Sequence, residues 1–305
     1  MANESRYLVT AEQLTEVADT IRDNCTFNDE KLSYPWGFIE GIEDDGEQYL
    51  TDFLNGEISY VRCGISRLSS YAFYYNSNIV SVNFPACTSI YSAAFLRCSN
   101  LTSISFPACT LISAYAFYNC SNLTSINFPI CTTLGTYAFG FCSNLTSIKF
   151  PACTSIGSST FFSCSNLTSI SFPACTSIGL CAFRFCSNLT TMNFHRCNYI
   201  SISAFEGCNS LTTISFPMCE FLYSHAFYGC TKLTSAYFLG SEVPTLSNSN
   251  TFGFTPIAGV TTYNDGILGS IFVRASLLTA FQTAENWSYF SQRMVGLTDE
   301  EIANL

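Results

Sequence analysis

The sequence has 305 residues, with 22 acidic and 12 basic side chains and a net charge of −10 at pH 7. The acids lie mainly at the ends: residues 1–62 hold 14 acids and 4 bases, whereas residues 63–240 hold 2 acids and 6 bases. No basic stripe is available for nucleic acid, and no run of eighteen apolar residues is present to span a membrane.

The first 57 residues predict a helical module that caps the N-terminal end of the domain. A helix over residues 10–23 begins at a capping box of Thr10 and Gln13, and residues 34–42 indicate a turn and a short helix. The chain does not begin with the apolar segment of a signal peptide. We therefore expect a protein that stays inside the cell, leaves by another route or lacks its leader in this sequence.

From residue 58 to residue 240 the sequence repeats every 22 residues. Leucine, phenylalanine and two cysteines recur with this period, and a fixed period in the twenties is the signature of a solenoid. The two cysteine columns are Cys87, Cys109, Cys131, Cys153, Cys175, Cys197 and Cys219, and Cys98, Cys120, Cys142, Cys164, Cys186, Cys208 and Cys230.

One repeat unit, residues 101–122, shows what its positions do. Leu101, Ile104 and Phe106 belong to a short strand and point into the interior of the coil. Pro107 ends the pairing of this strand with its neighbours because it has no backbone N–H. The rest of the unit has no long helical pattern. We predict a right-handed leucine-rich-repeat solenoid of about nine coils, with short parallel strands on the concave face and turns or short helices on the convex face.

The 17 cysteines would ordinarily suggest disulfides. Cysteines of one column should lie about 4.8 Å apart with parallel side chains, whereas a disulfide needs Cβ atoms that converge. No Cys-x-x-Cys pair indicates a metal site. We therefore predict that both columns are small core residues with free thiols, in a reducing or anaerobic compartment.

Residues 241–305 predict a C-terminal cap made of a loop, a strand and a helix. Residues 240–260 are rich in Ser, Asn, Thr, Gly and Pro and predict a long loop. A strand is expected at residues 271–273 and a helix at residues 276–287. Residues 298–301 either cap a last short helix or fray.

The string Ala-Phe-x-x-Cys-Ser-Asn-Leu-Thr-Ser-Ile-x-Phe-Pro occurs at residues 94–107 and recurs with small variations. It resembles the BspA-like (Treponema pallidum-type) class of leucine-rich repeats, and the likeness extends over residues 58–240. The sequence departs from the pattern at His195, where Pro is usual, and at Ala236-Tyr237. The resemblance implies a repeat protein of the kind found on the surfaces of bacteria and some protozoa.

Both ends add to this resemblance. The N-terminal segment is similar to a short helical module found ahead of such repeats in prophage-encoded and gut-bacterial proteins. Residues 272–287 are similar to the end segment of many BspA-like proteins, which agrees with a C-terminal cap.

Few side chains of the repeat could carry catalysis. His195 and His225 are the chain's two histidines and fall on different columns, and Glu206 and Glu220 are the two acids of the solenoid. These positions offer neither a nucleophile held by a base nor a pair of carboxylates. No Gly-rich phosphate loop is present. The sequence therefore predicts no enzyme, no cofactor and no metal site.

Residues on either side of the central isoleucine point out of the concave face, because side chains alternate along a strand. They form two parallel rows of hydroxyls and amides. The predicted ligand-binding residues are Ser103, Ser105, Ser125, Asn127, Ser147, Lys149, Ser169, Ser171, Thr191, Asn193, Thr213, Ser215 and Tyr237. The alternative is that these residues only solvate a sheet.

A second candidate surface is the convex side, where aromatic residues collect. Its residues are Tyr71, Tyr74, Tyr75, Tyr115, Tyr118, Tyr137, Phe141, Phe162, Phe185, Tyr223 and Tyr228. Some of them are expected to pack beneath the coil instead.

The leading prediction is a non-enzymatic binding protein that recognises a protein or glycan on a host or cell surface, as in adhesion. One alternative is a phage or prophage component with a structural or receptor-binding role, suggested by the N-terminal module and the missing signal peptide. Another is an intracellular interaction scaffold. No nucleic-acid partner and no membrane insertion are expected.

Overall fold

A computed structural model describes residues 60–62, 66–260 and 267–305. Over these residues the chain winds into a solenoid of parallel strands, which confirms the predicted leucine-rich-repeat fold. Each turn has three sides, which we name the strand face, the second sheet and the turn face. The predicted helical module, residues 1–57, lies outside the described residues.

The strand face contains the strands that the sequence predicts. From residue 81 to residue 237 each paired residue lies opposite the one 22 positions on, as Ser81 does opposite Ser103, and an isolated bridge joins Ser103 to Ser125. The offset is 21 at the first pair of strands, and 35 and 23 at the last two. The strands are Tyr60–Arg62, Ser81–Asn83, Ser103–Ser105, Ser147–Lys149, Ser169–Ser171, Thr191–Asn193, Thr213–Ser215, Ser235–Phe238, Ser270–Arg274 and Met294–Leu297. Their ladders fall into three separate groups.

The second sheet lies where the sequence predicts turns. Its two-residue strands form one uninterrupted nine-stranded parallel sheet, and the second residue of each strand is buried. The strands are Arg67–Leu68, Ser89–Ile90, Leu111–Ile112, Thr133–Leu134, Ser155–Ile156, Ser177–Ile178, Tyr199–Ile200, Phe221–Leu222 and Thr245–Leu246. Stacking of successive coils makes these short pairs stable, because every strand between the first and the last hydrogen-bonds on both sides.

The turn face is built from tight turns rather than helices. Each coil from residue 71 to residue 229 has two left-handed residues four positions apart, such as Tyr115 at φ 58° and Asn119 at φ 56°. Amides of the turn donate to carbonyl oxygens of the next coil, as Phe117 N does to Ala138 O at 2.7 Å. All three sides of the coil are therefore held together by backbone hydrogen bonds.

Two columns of phenylalanine rings fill the core. The column beneath the turn face, which includes Phe95 and Phe117, has centroids 5.0–5.4 Å apart from Phe73 to Phe227. The column beneath the strand face, which includes Phe84 and Phe106, has centroids 5.4–6.2 Å apart. Rings of the two columns meet mostly edge to face or tilted, and the buried cysteines fill the space beside them.

Both the strand face and the second sheet continue past residue 240. Thr245–Leu246 adds a strand to the second sheet, so the predicted loop over residues 240–260 is wrong there. A 3-10 helix, Ser249–Phe252, follows, in which the Thr251 amide donates to Asn248 O at 3.2 Å. The domain boundary at residue 240 remains a prediction.

The C-terminal strand agrees with the sequence, whereas the helix after it is shorter than predicted. After strand Ser270–Arg274 the chain forms a 3-10 helix, Ala275–Leu277, and an α-helix, Leu278–Thr283. The predicted helix over residues 276–287 ends there because Ala284 is extended and Asn286 is left-handed, at φ 61°. The Asn286 amide donates to Leu246 O at 2.8 Å, which fixes this break.

Three further elements complete the chain. They are a 3-10 helix, Trp287–Arg293, the strand Met294–Leu297 and an α-helix, Asp299–Ala303. The last helix begins at a full capping box of Thr298 and Glu301, which decides between the two sequence alternatives in favour of a capped helix.

Candidate functional site

The thirteen predicted binding residues lie in two rows on the strand face. In Ser147–Lys149 and Ser169–Ser171 the central isoleucine is buried and its neighbours are not. Ser147, Ser169 and Thr191 follow one another in register, as do Lys149, Ser171 and Asn193. The structure therefore brings these residues together on one surface, as the period of the sequence predicts.

The hydroxyls and amides of these rows are not used to hold the coils together. Within the described residues, no side-chain hydrogen bond is made by the twelve polar residues that precede Tyr237 in the set. Threonines just outside the rows behave differently. Thr168 Oγ1, for example, donates to Thr146 O at 3.0 Å, and Thr190 Oγ1 donates to Thr168 O at 3.1 Å. Polar groups of the strand face are thus unused within the chain, and all but the buried Asn193 Oδ1 remain open to solvent, whereas those beside it are occupied.

The two interruptions of the strand face coincide with the widest steps of the core. The Phe128 and Phe150 centroids are 5.8 Å apart and those of Phe194 and Phe216 are 6.2 Å apart, against 5.4–5.5 Å for the other pairs of this column. At the second interruption Asn193 Oδ1 is buried without a hydrogen-bond partner among the described residues. The strand face is therefore divided into three panels, which are the three separate groups of paired strands.

The row that contains Lys149 becomes aromatic towards the C-terminal end. Tyr237 pairs with Phe272, which pairs with Val295. The Tyr237 and Phe272 rings stack with centroids 4.6 Å apart, and Val295 is 39% exposed. Phe272 and Val295 belong to the surface but are absent from the sequence prediction. The strand at residues 271–273 is predicted, but its pairing partner is not, because the 22-residue period has ended.

Charge is nearly absent from the strand face. Lys149 is the one charged side chain of the predicted set, and it is exposed. The surface therefore offers hydrogen-bonding groups and little long-range electrostatic attraction.

The structure gives the two histidines no shared site. His195 is exposed at the end of strand Thr191–Asn193. His225 lies on the turn face, with Nδ1 2.5 Å from Ser224 Oγ and its ring centroid 4.9 Å from that of Tyr228. Among the described residues, no cluster of three or more potential metal ligands occurs. No helix of the described part has the length and apolar character needed to cross a bilayer.

Most of the predicted convex aromatics lie on the turn face, exposed or half-buried. Tyr223 differs: it follows a strand of the second sheet, and its ring is 5.0 Å from that of Tyr199. The turn face is therefore a second aromatic surface, on a different side of the coil from the strand face.

The repeats match a family model described as the BspA type leucine rich repeat region, with overlapping matches to residues 66–190, 110–234 and 154–265. A search of curated proteins found no match. The repeat pattern alone thus carries the assignment.

Several solved structures are similar in fold. A leucine-rich repeat protein of T. pallidum is 25% identical, with a TM-score of 0.47, and the match covers 50% of this chain and 78% of that one. A leucine-rich repeat protein of Bacteroides ovatus is 16% identical, with a TM-score of 0.34 and coverage of 79% and 84%. A leucine-rich cell surface protein of Faecalibacterium prausnitzii is 18% identical, with a TM-score of 0.35 and coverage of 79% and 88%.

Proposed function

We propose a function for this chain, which belongs to the BspA-type leucine-rich repeat family. It is a non-enzymatic binding protein whose strand face recognises a protein or glycan on a host or cell surface. Adhesion is the role that we favour. A repeat-based binding role follows from the family, because solenoids display extended surfaces to partners. The choice of the strand face and of a surface partner is our proposal.

One observation carries the choice of face: the strand-face rows combine regular spacing with unused hydrogen-bonding groups. Twelve hydroxyl, amide or ammonium side chains lie in two rows without internal side-chain partners among the described residues. A repeating partner, such as an extended glycan or peptide, would meet equivalent groups in successive coils.

The experiment compares binding of labelled protein to intact bacterial and epithelial cells and to a glycan panel. The test variant carries Asn127→Ala, Lys149→Ala and Asn193→Ala. Each lost hydrogen bond is worth about 0.5–1.5 kcal/mol, so the triple variant should bind about tenfold more weakly or worse. A matched control carries Ser89→Ala, Thr133→Ala and Thr245→Ala on the second sheet and should bind like the wild type.

The outcomes separate the parts of the proposal. Saturable binding that is lost in the test variant and kept in the control supports recognition by the strand face. Equal binding by both variants would place the site elsewhere. Absence of binding to every cell and glycan would contradict the surface-recognition role itself.

A further inference from the structure

Six aromatic rings form a continuous ridge on the turn face. Neighbouring centroids along it are 5.3–6.0 Å apart, so every ring touches the next. We name this surface the aromatic ridge; its residues are Tyr115, Tyr118, Tyr137, Phe141, Phe162 and Phe185. The ridge is apolar and crosses four successive coils.

Four of these rings stand on left-handed backbone, where a side chain is unfavourable. Tyr115, Tyr137, Phe141 and Phe185 have φ between 53° and 63°. For residues with a Cβ atom this conformation costs roughly 1–2 kcal/mol. The fold does not need aromatic residues there, because other coils have small residues at the equivalent positions. Those residues are Ser159, Ser163, Ser203, Gly207 and Gly229.

The rings are also exposed. Tyr115, Phe141 and Phe185 are 40%, 36% and 42% exposed, and the other three are half-buried. An aromatic residue can bury roughly 150–250 Å², so the ridge offers on the order of 300–500 Å² of apolar surface. A patch of this size is often functional. Backbone strain and exposure, together with the unbroken contact of six rings over four coils, indicate a surface kept for contact rather than for stability.

The arrangement of the rings favours a protein over a sugar as the binding partner of the ridge. Tyr115 and Tyr137 are stacked with planes only 9° apart, so each covers a face of the other. The other six contacts along the ridge are edge to face or tilted, so neighbouring rings cover part of one another's faces, whereas a sugar stacks on an open ring face. Ring edges suit the faces and edges of other aromatic rings.

The charge around the ridge and the area of the ridge narrow the choice of partner further. The nearest charged groups are paired with each other, since Arg184 Nη2 lies 2.6 Å from Glu206 Oε1, and the Arg184 guanidinium lies 4.6 Å from the Phe185 ring centroid. Arg184 Nε is buried without a hydrogen-bond partner among the described residues, so it offers nothing to an outside partner. No unpaired charge of the ridge thus opposes contact with an identical surface. A stable interface needs about 800 Å² per partner, so the ridge with its polar margin of serines and Asn119 would form a weak one.

From these observations we propose that the aromatic ridge is a self-association surface, at which two copies of this chain pair about a two-fold axis. Isologous contact places rings of one copy against rings of the other and hides both apolar patches. The strand face lies on another side of the coil and stays open in both copies. The pairing does not depend on the proposed function, although a bivalent particle would bind a surface with higher avidity.

The test is sedimentation velocity of the full chain in reductant, from about 1 to 100 μM, the range expected for an interface of this size. The wild type should shift from monomer to dimer with concentration. Each copy carries a charge of −10, so screening by salt should strengthen the dimer.

The ridge variant takes its residues from equivalent positions of the same chain: Tyr115→Ser, Tyr137→Ser, Phe141→Ser and Phe185→Gly. It should remain monomeric at the highest concentration while keeping the wild-type circular dichroism spectrum. The control, Tyr71→Ser with Tyr75→Ser, changes the same left-handed positions of another coil and should dimerise normally. If the ridge variant does not fold, the single variant Phe185→Gly replaces it, because this change relieves left-handed strain.

A second readout needs no substitution. Oxidative cross-linking of an equal mixture of unlabelled and nitrogen-15-labelled wild type should join Tyr115 or Tyr137 of one copy to a ridge tyrosine of another, and mass spectrometry recognises these links by peptides of mixed label. A wild type that stays monomeric at every concentration would overturn the proposal. So would a folded ridge variant that dimerises like the wild type.

Discussion

The Cys142 thiol donates to the backbone carbonyl of Phe117 in the preceding coil, with Sγ 3.1 Å from the oxygen. Every cysteine of this column makes the same contact, at 2.9–3.3 Å. The other column turns its thiols to a carbonyl two residues further along, as Cys153 does to Ser155 O at 3.2 Å. Cysteine is therefore used here as a small apolar residue with a weak donor.

Replacing one column thiol should destabilise the solenoid measurably. Cys142→Ala removes a buried sulfur atom and its contact with Phe117 O, and should lower the free energy of unfolding by about 1–2 kcal/mol. Cys181→Ala is the matched control, because Cys181 is half-buried and belongs to neither column. Urea unfolding followed by circular dichroism measures both. Equal effects of the two substitutions would mean that the column contact contributes nothing.

Alkaline pH should unfold this protein earlier than a solenoid without thiols. Burial raises the pKa of Cys153 from 9.0 to about 11 and that of Cys142 to about 12. The folded state thus keeps protons that the unfolded state releases. The stability from each thiol is complete below pH 9 and is lost as the pH rises towards the folded pKa, by up to about 1.4 kcal/mol per pH unit.

Urea titrations at several pH values above 9 test this expectation. The midpoint should fall steeply with pH, and Cys153→Ala should make the fall shallower by about one proton. The difference between the wild type and this variant isolates the contribution of the Cys153 thiol. A midpoint that stays level up to pH 10.5 would contradict the assignment.

The sequence predicts the strand face and core well because both depend on strict columns. Phe106 and Cys109 recur in every unit with small variations, and each faces the same environment in every coil. The second sheet escapes prediction, since a two-residue strand such as Leu111–Ile112 is too short to show alternation. Its stability comes from the coils above and below, which no single unit reveals.

The candidate site is predictable in part for the same reason. The rows of Ser, Thr and Asn follow from alternation within the strand. The breaks between panels do not, because they coincide with differences of less than 1 Å in the spacing of rings such as Phe194 and Phe216, which no sequence pattern reveals. Phe272 joins the surface by pairing with Tyr237 across 35 residues of non-repeating sequence, and no local pattern marks that pairing.

Phe139 and Phe141 allow a direct comparison of one phenylalanine in the core with one on the surface. Phe139 is fully buried between Phe117 and Phe161, whereas Phe141 is 36% exposed and left-handed. Phe139→Ala should cost about 3–5 kcal/mol, because it leaves a cavity in the ring column. Phe141→Ala should cost less than about 1 kcal/mol. Thermal and urea unfolding distinguish them, and similar losses would contradict a purely surface position for Phe141.

An asparagine ladder on the solvent side should add a small, cumulative stabilisation. Asn144, Asn166 and Asn188 each donate to the Oδ1 of the asparagine one coil before, at 3.2, 3.4 and 3.4 Å. Asn144→Ala breaks two of these bonds and Asn188→Ala breaks one. Each exposed bond is worth about 0.5 kcal/mol, so the first variant should lose about twice as much as the second. Equal losses in urea unfolding would show that the number of ladder bonds broken does not determine the loss of stability.

Trp287 should decide whether the C-terminal segment protects the end of the solenoid, as the predicted cap requires. Its ring is buried against Phe238, Phe252 and Phe281, and Nε1 donates to Pro244 O at 2.7 Å. Trp287→Ala opens a cavity at the last coil and should cost about 3–5 kcal/mol.

Trp287→Phe keeps most of the ring contacts and loses the hydrogen bond, so it should cost about 1–3 kcal/mol. Solenoid coils contact only their neighbours, so the damage should be local before it is global. Hydrogen exchange should therefore accelerate first at strand Ser235–Phe238 and later at Ser147–Lys149. If both strands of the Trp287→Ala variant exchange as slowly as in the wild type, the segment does not act as a cap, because an exposed end coil would fray.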